Sequence, residues 1–232
     1  MPRTTLVLLP GLINTRRVFE QQIEALSDIA DCIVPELWHH DTIGAMAEAT
    51  LALAPPTFAL VGFSMGGYVA FDVMRRAAEK VERLALMDTQ ATPDSAESTK
   101  RRRALLDQTK IGRFHGVQRT LLAQLVHRSH INDAAITQPI FDMAEEIGAE
   151  GFVREQRAII DRADSRPLLV DVGIPTVVIV GRQDQVTPLV RSQEMAADIA
   201  NSRLVVLEEC GHMSPLEKPA EVTAALRRWL SQ

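Results

Sequence analysis

The sequence predicts an α/β protein built on a doubly wound parallel sheet, and three observations predict it. Six short apolar runs, each the length of a buried strand, are spaced along the chain. Helical patterns with start signals lie between most of them. One long stretch, Gln90 to Val172, holds helical patterns and no strand-like run. The six runs are continuous rather than alternating, which suits strands covered on both faces. Strand–helix alternation then gives the doubly wound sheet.

In chain order, the first run is Leu6–Leu9, and Thr15–Leu26 then sets Val18, Phe19, Ile23 and Leu26 on one helical face. The second run is Cys32–Pro35. After it, Trp38-His39-His40-Asp41 reads as a surface loop in which Asp41 caps the next helix. The third run, Phe58–Phe63, passes straight into the helical pattern Met65–Ala78, and the fourth is Leu84–Met87. The strandless stretch of 83 residues that follows is too long for a structureless loop. Its helical segments are Val117–Val126, Ile140–Ile147 and Phe152–Ile160. It is read as a helical insertion between the fourth and fifth strands, giving a core of 1–89 and 173–232 and a cap of 90–172. The fifth run is Thr176–Val180, with Thr187-Pro188 expected as N-cap and first helical residue. The sixth is Leu204–Leu207. Pro219 opens the last helix, whose inward face is Val222, Leu226, Trp229 and Leu230.

Composition removes several classes. The 232 residues are 46% hydrophobic and 24% charged, ample for a full core and unlike a disordered chain. A net charge of −5 argues against nucleic acid, and ten aromatic residues (seven Phe, two Trp, one Tyr) give no stacking platform. The insertion holds 12 basic and 12 acidic residues, so the remainder, with 13 against 18, carries the whole −5. Cys32 and Cys210 are too few for a disulfide framework and show no metal spacing, which reads as a reduced, cytoplasmic chain. The apolar start is broken by Pro10-Gly11 and lacks a cleavage site, and Leu51–Val61 is broken by Pro55-Pro56. Neither a leader nor a membrane span is expected.

The chemistry lies in Gly62-Phe63-Ser64-Met65-Gly66, a G-x-S-x-G placed between a strand and a helix. A sharp turn there lifts the serine hydroxyl clear of the sheet, and the flanking glycines remove colliding side chains. The helix starting at Met65 aims its amides and positive dipole end at the place where an oxyanion would form. A serine hydroxyl needs a base. Asp184 and His212 follow the fifth and sixth runs, at the strand ends where open α/β sheets bind ligands. Ser64 is the expected nucleophile, His212 the base and Asp184 the acid. Asp88, which ends the fourth run, is the alternative acid, with capping of a turn before Thr89 as its other reading.

On Gly62–Gly67, Gly181–Pro188 and Gly211–Pro219, in that order, the chain resembles the α/β-hydrolase superfamily. It looks most like small capped carboxylester hydrolases and is similar to 3-oxoadipate enol-lactonases. The resemblance implies an α/β-hydrolase fold with strand order 2-1-3-4-5-6. It covers nearly the whole chain, but two features depart from it. Leu9-Pro10-Gly11-Leu12 stands where relatives carry His-Gly, and the first strand is expected almost at residue 4 and leads directly into that loop, where relatives usually begin with two extra strands. The resemblance implies an oxyanion hole from the backbone N–H groups of Leu12 and Met65, for which Pro10 need not donate.

The expected function is cleavage of small carboxylic esters, without cofactor or metal, on a small-molecule substrate. Trp38, Leu121, Leu125 and Phe141 are candidates for the substrate pocket. A lactonase or carbon–carbon bond hydrolase, or a non-catalytic ligand receptor on the same fold, are the alternatives. Lys100-Arg101-Arg102-Arg103 reads as a solvated or salt-bridged helix face before it reads as a steering patch for anions. His39 and His40 are adjacent, a poor arrangement for one metal ion. His115, His127 and His130 have no expected catalytic part, and neither thiol is needed as a nucleophile.

Overall fold

A computed structural model describes residues 3–112 and 114–232, apart from the side chains of 115–119. The chain begins with β1 (Thr4–Leu9), a 3-10 turn (Arg16–Phe19), α1 (Glu20–Leu26), β2 (Ala30–Ile33) and a second 3-10 turn (Leu37–His39). It continues through α2 (Ile43–Leu53), β3 (Phe58–Phe63), α3 (Met65–Ala77) and β4 (Val81–Met87). Four helices follow before the next strand: α4 (Ala96–Lys110), α5 (Phe114–Leu125), α6 (Ala134–Ile160) and α7 (Arg166–Leu169). The chain closes with β5 (Thr176–Gly181), α8 (Leu189–Asp198), β6 (Ser202–Leu207), α9 (Ser214–Glu217) and α10 (Pro219–Leu230).

The strands form one sheet in the order β2-β1-β3-β4-β5-β6, every neighbouring pair parallel. Successive side chains alternate between its faces. Val7, Leu9, Leu60, Leu84, Leu86 and Val178 pack under α2, α3 and α8. Leu6, Leu8, Val61, Ala85, Met87 and Ile179 pack under α1 and α10, where Trp229 is fully buried. All six residues of β3 are buried, as a continuous apolar run on a doubly covered strand requires.

Several boundaries differ from the sequence expectation. β2 ends at Ile33, two residues before the expected Pro35, because its only partner, β1, pairs with it through Val7↔Ile33. An apolar run tracks burial, and ladder pairing stops sooner. The expected helix Thr15–Leu26 is a 3-10 turn capped by the Thr15 side chain, then a short α-helix. Thr42, not Asp41, caps α2, its hydroxyl accepting from the Ala45 N–H at 3.1 Å. Pro188 stands at the N-cap of α8, with Thr187 outside the helix. In the insertion, α6 joins the two expected segments through a kink at Gly148, whose φ of 70° is open to glycine. α4 lies where the sequence showed only a basic run, because it carries few apolar residues to mark its period.

Arg162 ties the insertion to the core through the Tyr68 ring and is itself paired within the insertion. The Arg162 guanidinium, 4.3 Å from the Tyr68 ring centre, donates to Asp94 at 2.8 Å. Arg102 of the basic run turns inward to Asp94 and Gln156, while exposed Arg101 pairs with Glu97. Among the described residues no helix is long and apolar enough to cross a membrane.

Candidate active site

Ser64 sits between β3 and α3 at φ 53° and ψ −116°, a conformation that costs an L-residue on the order of 1–3 kcal/mol. The core holds it there. Its N–H donates to the Met87 carbonyl at 2.9 Å, and its own carbonyl accepts from the Thr89 hydroxyl at 2.8 Å. A Cβ added at Gly62 would stand 2.6 Å from the Gly66 carbonyl oxygen, and one at Gly66 only 2.1 Å from that of Leu9. Both motif glycines are therefore demanded by backbone approach.

His212 lies after β6, with its Nε2 2.8 Å from Ser64 Oγ and its Nδ1 2.8 Å from Asp184 Oδ2. Asp184 Oδ1 accepts from the Val186 and Thr187 amides, and Oδ2 also accepts from the Thr187 hydroxyl at 2.7 Å. Thr187, expected as a helix cap, instead holds the carboxylate facing the imidazole. Burial by itself would push the His212 imidazole down. The Asp184 carboxylate, with Asp88 and Glu217 behind it, outweighs that and leaves the imidazole above its ordinary value.

Asp88 is fully buried beside these groups but does not bond to His212. Its Oδ1 accepts from the Gly181 N–H and its Oδ2 from the Ser214 hydroxyl. Burial, then the nearby Asp184 charge, pushes its carboxyl well above the usual range. Of the two acids that the sequence left open, Asp184 is the one on the imidazole.

Glu217, at the end of α9, has no role that the sequence alone assigns. Its side chain accepts from the N–H groups of Gly211 and Met213, on either side of His212, and from His127 and His130 in the insertion. The Leu125 carbonyl, at the end of α5, accepts the His212 and Met213 amides at 2.8 and 3.0 Å. The histidine loop is thus bonded to the insertion along its length. The local signal was a lone carboxylate among apolar neighbours.

The loop after β1 closes the other side. Gly11 lies so near the serine that an added Cβ would stand 3.1 Å from Ser64 Cβ. The Asn14 N–H donates to the Gly11 carbonyl, closing a turn over Leu12 and Ile13. Met65, the first residue of α3, has no preceding helical turn to accept its amide.

The profile of the alpha/beta hydrolase family matches residues 6–226. The chain belongs to that family. Among curated proteins, this hydrolase is 30% identical over 192 residues to a pimeloyl-[acyl-carrier protein] methyl ester esterase of Neisseria meningitidis, covering 80% of this chain and 74% of the relative. Among solved structures, it superposes with a TM-score of 0.89 on a thermophilic esterase from Thermogutta terrifontis, at 29% identity over 98% of this chain and 89% of that one. An enol-lactonase from Burkholderia xenovorans gives the same TM-score at 22% identity over 100% and 93% of the two chains, a likeness of fold.

The expected pocket residues separate. Trp38 and Leu121 pack with Leu12, Ile13, Phe114, Ile147 and Phe152 in one apolar cluster beside the loop. Leu125 packs on the α1/α10 face and serves the hydrolase through its carbonyl. Phe141 is half-buried and belongs to none of the three apolar clusters. His39 is exposed and turned to Glu36 at 3.2 Å. His115 lies outside the described side chains. Burial pushes both thiols up, Cys210 the further, which keeps them in the unreactive form.

Proposed function

We propose that this hydrolase cleaves small carboxylic esters through an acyl-enzyme intermediate formed on Ser64. The observation that carries the reading is the unbroken line from Ser64 Oγ through both His212 nitrogens to Asp184 at 2.8 and 2.8 Å, set on a strained turn. The chain is an enzyme acting on ester bonds. The curated relative's name specifies a methyl ester, which supports a small alcohol as the leaving group.

In this mechanism Ser64 Oγ attacks the ester carbonyl as His212 Nε2 takes its proton. The tetrahedral oxyanion is held by the amides of Leu12 and Met65, the second strengthened by the α3 dipole. His212 then protonates the leaving alcohol. Water, deprotonated by the same nitrogen, attacks the acyl carbon and releases the acid and the free serine. Asp184 fixes the imidazole tautomer and stabilises its cation. Residues 90–172 act as the cap over a core of 1–89 and 173–232, with Trp38 and Leu121 on the acyl side. A cytoplasmic setting fits the two free thiols.

The test is turnover of p-nitrophenyl esters of graded chain length by wild type and Ser64→Ala. Wild type is expected to prefer short chains, and Ser64→Ala to lose on the order of 10⁴-fold or more in kcat. Equal turnover by both would overturn the reading.

A further inference from the structure

The insertion carries a buried acid for which the reaction above has no use. Glu155 lies on the inward stripe of α6 with Gly151, Phe152, Ala158 and Ile159. Its side chain is enclosed, and its Oε2 accepts the Ile13 N–H at 2.8 Å across 142 residues of sequence. Its Oε1 is buried with no protein partner among the described residues. A buried carboxyl with one partner is costly, so its place calls for a reason.

That reason lies in the loop it holds. Ile13 has φ 51°, the left-handed region, which is unfavourable by about 1–2 kcal/mol for a β-branched residue. The strained residue directly follows Leu12, whose amide is one donor of the proposed oxyanion hole. Binding the Ile13 N–H fixes the Leu12–Ile13 peptide plane and, through it, the direction of the neighbouring amide. A second contact from α6, Met143 Sδ to the Thr15 N–H at 3.4 Å, fastens the far end of the loop.

We propose that Glu155 is a positioning residue for ester cleavage, reaching from the cap to the Ile13 amide and setting the Leu12 N–H against the serine. The surroundings keep it uncharged at neutral pH. The apolar cluster of Leu12, Ile13, Phe114 and Phe152 adjoins it. Among the described groups Arg154 is the charge that acts on it, and that guanidinium turns outward to the Trp38 carbonyl and Glu150. Arg102 on α4 is bonded to Asp94 and Gln156, and His39 on the turn packed against α6 pairs with Glu36. Burial therefore pushes Glu155 up to about 8. Below that pH it is a neutral acceptor, and above it a negative charge stands near the developing oxyanion and opposes it.

The inference rests on the serine-hydrolase reading, and one experiment separates their failures. Wild type, Ser64→Ala, Glu155→Gln and Glu155→Met are assayed on p-nitrophenyl acetate across about pH 6 to 10, with thermal unfolding alongside. Glu155→Met fills the volume without an acceptor and is expected to lose about 10- to 100-fold in kcat with KM little changed. Glu155→Gln mimics the neutral acid. It should stay within about threefold of wild type at neutral pH and lack the alkaline fall that wild type shows near pH 8. Wild-type kcat in Glu155→Met would overturn the proposal, as would superposable alkaline limbs in wild type and Glu155→Gln. If Glu155→Met does not fold, the glutamine comparison decides alone. Activity surviving in Ser64→Ala would overturn the serine reading itself, and this proposal with it.

Discussion

The two sides of Ser64 are held by different parts of the chain. The elbow is fastened by the core: the Ser64 N–H bonds to the end of β4, Thr89 holds its carbonyl, and Gly66 lies against β1. The loop after β1 is fastened from the insertion, by Glu155 to Ile13 and by Met143 to Thr15. The nucleophile is thus fixed by the sheet, whereas the proposed oxyanion hole has one wall fixed by the sheet and one by the cap. On the proposed mechanism, residues 90–172 would then bear on transition-state stabilisation along with substrate fit.

Asp184→Asn is expected to lower kcat by about 10⁴-fold while leaving the fold intact, because the amide favours the wrong imidazole tautomer. Asp88→Asn replaces a fully buried acid, its carboxyl pushed well above the usual range by burial, that is bonded to Gly181 and Ser214. It should stay within about tenfold of wild type, the equivalent of one hydrogen bond. Steady-state assays of the two variants decide between the acids. The pH profile adds a sign. His212 must be neutral to accept the serine proton, so wild-type activity falls as pH drops through a pKa held above the ordinary imidazole value by the Asp184 carboxylate. Asp184→Asn removes the main influence raising that value, and the acid limb of its residual activity should move to lower pH.

Thr89→Val gives the smallest effect and sharpens the contrast. The Ser64 carbonyl keeps its bond from the Gly67 N–H, so losing the threonine hydroxyl strands no buried group. Stability should fall by about 1 kcal/mol in urea denaturation, with activity within about threefold of wild type. A loss of stability without a matching loss of kcat at Thr89, set against a loss of kcat at Glu155, is the signature of the two modes of support.

The same division explains what the sequence showed. Strand runs such as Phe58–Phe63 are legible because burial on both faces leaves a continuous apolar run, and Ser64 is legible because its turn demands glycines. His212 and Asp184 follow from their places at strand ends. Glu155, Glu217 and Thr187 were not legible, since their meaning comes from backbone amides that only folding brings near. In α4 the charged surface hid the helix, and at Gly148 one glycine bends a helix that the sequence divides in two.

Acylation of Ser64 is read out by intact-mass analysis after treatment with a fluorophosphonate. A single adduct is expected on wild type, located by peptide mapping to the Gly62–Gly67 turn and absent from Ser64→Ala. An adduct of equal yield on Ser64→Ala, or wild type that turns over esters yet is neither labelled nor inhibited, would contradict it.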